Sequence, residues 1–175
     1  MKKLLASSAV IAGLLAGGTA FAQTAANTSN ATASGSVTIV RPLTITKNTD
    51  LAFGRIVRPR TGGTGTVMLA NSGNSVVASA GAVALASTTS RAQFTVDGEG
   101  GQVVTTSIPS TATLSSGTNT LTVNLLPDFG GTVTLSGALA AAGSSTLNVG
   151  GSFSLPDTQA SGAYTGNFTV TVAYQ

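Results

Sequence analysis

The chain has 175 residues, eight Lys and Arg against five Asp and Glu, and neither histidine nor cysteine. The missing cysteine excludes disulfides, thiolate nucleophiles and thiol redox chemistry, and the missing histidine removes the commonest general base and metal ligand. Tryptophan is absent as well.

At the N-terminus, Lys2 and Lys3 precede an apolar run over 4–16 and a small-residue box closing on Ala20-Phe21-Ala22. That order is a secretory signal, residues 1–22, with cleavage after Ala22. The run is short of the roughly 20 apolar residues a membrane span needs. No later stretch reaches that length, so no transmembrane segment is expected in the mature chain. Two of the eight basic residues belong to the signal, which leaves six against five acids, a net charge of +1. So small an excess is no footprint for nucleic acid or a membrane surface. Export to the periplasm, and from there to the cell surface or an extracellular fibre, is the expected route.

Residues 23–34, QTAANTSNATAS, offer nothing larger than alanine to bury and read as a flexible leader. From Gly35 to the C-terminus short runs alternate apolar with polar or small residues, rich in Val, Thr, Ile, Leu and Phe, which is the period of strands. The expected strands are 36–40, 43–47, 51–57, 66–70, 82–86, 91–97, 102–107, 111–114, 120–126, 132–136, 146–149, 152–155 and 166–174. Turn signals separate them at Asp97-Gly98-Glu99-Gly100-Gly101, Ser116-Gly117-Thr118-Asn119, Gly130-Gly131 and Gly150-Gly151. The alanines of 138–142 favour helix but extend for little more than a turn, so they read as a loop. Many short strands closely spaced predict one all-β antiparallel domain, residues 35–175, of sandwich or barrel type.

Little chemistry is available to such a chain. Asp50, Asp97, Glu99, Asp128 and Asp157 all sit at expected strand ends or turns, where carboxylates bond local backbone. The stretch Thr61-Gly62-Gly63-Thr64-Gly65-Thr66 lacks the Gly-Lys-Ser/Thr ending of a phosphate loop, and Asp97-Gly98-Glu99 falls short of a calcium loop in ligands and spacing. Lys47 is the one lysine beyond the signal, too little to activate a serine. No catalytic, cofactor-binding or metal site is expected, and the chain does not read as an enzyme. Arg55, Arg58 and Arg60 cluster around Pro59, a candidate polyanion contact or simply a solvated loop.

The last segment, SGAYTGNFTVTVAYQ, places Gly162, Tyr164, Gly166, Phe168, Val170, Val172 and Tyr174 on one face. A glycine 14 places from the C-terminus and a penultimate tyrosine, joined by alternating apolar residues, resemble the C-terminal motif of chaperone-usher pilus subunits; Gly162 and Tyr174 hold those places. The stretches LTITKNTDLAFGRI, LNVGGSFSLP and QASGAYTGNFTVTVAYQ are similar to a family of Ala/Gly/Thr-rich, pilin-like bacterial exported proteins of unassigned function. The resemblance implies an incomplete immunoglobulin-like sandwich completed by a strand from a neighbouring subunit, with a periplasmic chaperone and an outer-membrane usher as assembly partners. It implies self-association or related subunits, and an acceptor groove walled by Gly162, Tyr164, Phe168, Val170, Val172 and Tyr174. Residues 31–40 are the candidate donor strand, with Ala31, Ala33, Gly35, Val37 and Ile39 on one face and Arg41-Pro42 as the break behind them. In the alternative, 36–40 is the first strand of a self-complete domain, a periplasmic or cell-surface binding or adhesion module.

Overall fold

Alternation along the chain becomes alternation of burial in the computed structural model, which describes residues 29–175. The signal 1–22 and the first part of the leader lie outside the described residues. Thr38–Gln175 forms one compact unit. Twelve strands build it: β1 Thr44–Thr49, β2 Arg55–Val57, β3 Thr64–Leu69, β4 Val76–Ser79, β5 Val83–Leu85, β6 Ala92–Glu99, β7 Val103–Ser107, β8 Thr111–Ser116, β9 Asn119–Pro127, β10 Thr132–Thr134, β11 Ala142–Pro156 and β12 Thr171–Tyr174. In β3, Gly65, Val67 and Leu69 are buried while the residues between them are exposed, the signature of a sheet with one wet face.

Every pairing is antiparallel. No described residue is helical, and 138–142 is a turn running into β11, as its length requires. The main sheet has seven strands, in the order β1-β6-β11-β3-β4 with β9 also on β11 and β8 on β9; β10-β7-β12 and β2-β5 form two smaller sheets.

Strand β11 organises the main sheet. Val149 pairs with both Ala92 of β6 and Pro127 of β9, and Gly151 and Ser152 pair with both β9 and β3. A strand has two edges, so β6 and β3 share one edge of β11 end to end, with β9 on the other. The changeover falls at Gly150, where a β-carbon would meet the Leu69 carbonyl oxygen and come within 2.6 Å of the Asn71 amide nitrogen. Only glycine allows that approach, and the sheet as a whole is a curled half-barrel.

The core has two clusters. One holds Val67, Val123, Leu125, Val149 and Phe153, the other Val96, Val104, Leu135, Leu147 and Val170. Phe94, Ile108, Phe129 and Phe168 pack on both.

Three expectations are corrected and one strand is added. Residues 36–40 form no strand: Val37 is 84% and Ile39 86% exposed, and no strand among the described residues pairs with them. Gly150-Gly151 is no turn but the interior of β11, because both glycines are paired and packed against neighbouring strands. The expected strand 166–174 pairs only over Thr171–Tyr174, as β7 ends opposite Thr171. Finally β4, absent from the expected strands, exists because Val76 and Ala78 reach the first cluster.

Candidate functional site: an apolar seam between the first and last segments

The edges of the two larger sheets meet where the chain enters and leaves the body. Strand β1 pairs only with β6, and β12 only with β7, so each has one free edge. At one end Leu43 and Ile45 from the first segment and Val172 and Tyr174 from the last all pack against the second cluster. Toward the other end the two segments part. Residues 47–58 form one wall and 159–168 the other, with two adjoining cavities of about 670 and 620 Å³ between them. Leu51, Phe53, Leu114 and Tyr164 line both, making one continuous seam.

The floor is apolar. Phe53 and Phe153 meet edge to face with ring centroids 5.0 Å apart, and Leu121, Leu155 and Val123 continue the surface. The C-terminal wall is braced. Thr165 and Ser115 exchange backbone hydrogen bonds of 3.0 and 2.7 Å; the Tyr164 phenol accepts from Gln159 Nε2 at 2.7 Å and donates to the Ala160 carbonyl at 2.8 Å. Arg58 Nη1 donates to the Gln159 carbonyl at 2.8 Å, tying one wall to the other at the far end. Beyond Thr165, residues 166–170 belong to no strand and leave backbone without a ladder.

Of the six expected acceptor residues, Gly162, Tyr164 and Phe168 line the seam. Val170 is 8% exposed in the second cluster, and Val172 and Tyr174 pack against that cluster from β12. Ala31, Ala33, Gly35, Val37 and Ile39 all lie in exposed, unpaired chain. Arg55, Arg58 and Arg60 are exposed, but only Arg58 lines the seam, and Pro59 between them is buried. Phe53, Leu114, Leu121, Phe153 and Gln159 were missed as seam residues. Apolar alternation marks Leu114, Leu121 and Phe153 as inward-facing, but an inward residue that is covered and one that is left open look alike in sequence, and nothing in the sequence marks Gln159.

The only charged groups at the seam besides Arg58 are Lys47 and Asp50, an exposed pair 2.6 Å apart and of small energetic weight. Among the described residues no three of His, Cys, Asp and Glu come close enough to hold a metal ion.

The fold and site define an all-β antiparallel domain with a seam, floored by apolar side chains, between the segment that follows β1 and the segment that precedes β12. The chain belongs to the DUF4402 family, described as a domain of unknown function, whose model matches residues 43–174. No curated protein and no solved structure matches the chain.

Proposed function

We propose that this protein is a non-catalytic structural subunit of a pilus-like surface fibre, exported and assembled by strand donation. Residues 31–39 of one copy lie in the seam of the next and complete an immunoglobulin-like sandwich. The observation that carries the reading is the seam itself, apolar along its floor and flanked by the unpaired backbone of 166–170. An extended segment laid there gains main-chain hydrogen bonds from the free edge and burial from the floor, the physics of strand addition. The N-terminal segment has the matching form: alternating residues, two of them large, in exposed and unpaired chain. Val37 and Ile39 contribute about 1.5–3 kcal/mol each when fully buried. Each backbone hydrogen bond adds about 0.5–1.5 kcal/mol. A chaperone covering the seam before assembly fits the same logic, since an open apolar edge aggregates.

The cysteine-free chain makes the test direct. A Val37→Cys copy mixed with an Ala163→Cys copy is expected to give a disulfide-linked heterodimer under mild oxidation, resolved by non-reducing electrophoresis. If the mixture stays monomeric while each variant folds, donation is wrong and the domain is a self-contained binding module.

A further inference from the structure

Glu99 is 2% exposed, an expensive place for a carboxylate, and the seam makes no use of it. Its surroundings are specific. Oε2 accepts from the Arg41 amide at 3.2 Å with Arg41 Nε 4.0 Å away, and Oε1 accepts from the Ala140 amide. The Glu99 amide donates to the Tyr174 phenol at 2.7 Å, and that phenol donates to the Arg41 carbonyl at 2.8 Å. Both backbone groups of Arg41 are therefore held, one by the end of β6 and one by the penultimate residue of the chain. Gly98 leaves the room the phenol occupies, since a β-carbon there would run into the Tyr174 oxygen.

The mechanical consequence follows from β1 being an edge strand. Its ladder to β6 begins at Thr44↔Asp97, three residues past Arg41. Tension on the N-terminal segment directed away from the strand axis peels such a ladder one pair at a time. With Arg41 fixed, the same tension passes instead into β6 and β12 together. We propose that Arg41, Glu99 and Tyr174 form a clasp that carries tension from the N-terminal segment into the body and shields β1 from peeling. The biological use of the clasp rests on the fibre reading, in which that segment links subunits; the clasp itself is a property of one molecule.

Single cysteines at Ser29 and Thr118 give an optical trap one pulling axis through the N-terminal segment, and cysteines at Ser72 and Thr118 give a control axis that bypasses it. At constant force Tyr174→Phe is expected to speed rupture along the first axis roughly tenfold, the equivalent of one or two net hydrogen bonds, and to leave the control axis within about twofold. Glu99→Gln should act in the same direction. Arg41→Ala should change little, because the backbone of Arg41 carries the closest contacts. Equal acceleration on both axes, or none on the first, overturns the proposal. Should Tyr174→Phe fail to fold, amide exchange of the unaltered chain decides. Protection of the Arg41 amide matching that of Val96 supports the clasp, and exchange at the rate of an exposed amide sinks it. Failure of the cysteine cross-link removes the fibre without touching this result.

Discussion

At the scale of the residue, the two phenylalanines of the seam floor make different contributions. Phe153 is 5% exposed within the first cluster, whereas Phe53 is half-buried and faces the opening. Phe153→Ala should cost about 3–5 kcal/mol through lost burial and a cavity. Phe53→Ala should cost distinctly less, since part of that ring already meets water; urea unfolding of both variants measures the difference. Ala140 is in the left-handed region at φ 71° while its amide serves Glu99. Ala140→Gly relieves that strain but gives the unfolded chain more freedom, and a net gain of about 0.5 kcal/mol is expected by the same assay.

At the scale of the element, β11 shows how a local signal is overridden. Gly150-Gly151 has the composition of a turn, and nothing within ten residues contradicts it. The pair stays in strand because β9, β6 and β3 all supply partners close to it. Gly150→Ala should therefore destabilise by about 1–3 kcal/mol, the cost of overpacking against the backbone after β3, and lower the thermal midpoint. At a true turn position with no neighbour, such as Gly73, the same change should cost much less. Residues 36–40 show the converse: strand alternation was legible, but pairing needs a partner, and none is present among the described residues.

For the whole molecule, the seam results from topology. Strands β1 and β12 lie on different sheets, and the segment that follows β1 and the one that precedes β12 diverge around Phe53 and Tyr164. If another copy fills that opening, folding is linked to concentration, and the free energy of unfolding should rise by about 1.4 kcal/mol for each tenfold increase in protein above the dissociation constant. Calorimetric midpoints across a dilution series check this; a midpoint independent of concentration points to a self-contained domain.

Most of the strands and their antiparallel all-β character could be read from the sequence, because period-two alternation is a property of neighbours along the chain. Which inward faces stay open, why Tyr174 ends beside Arg41 and why Glu99 is buried were decided only by tertiary structure. Those outcomes depend on which distant strands share an edge, and Arg41 and Tyr174 are 133 residues apart.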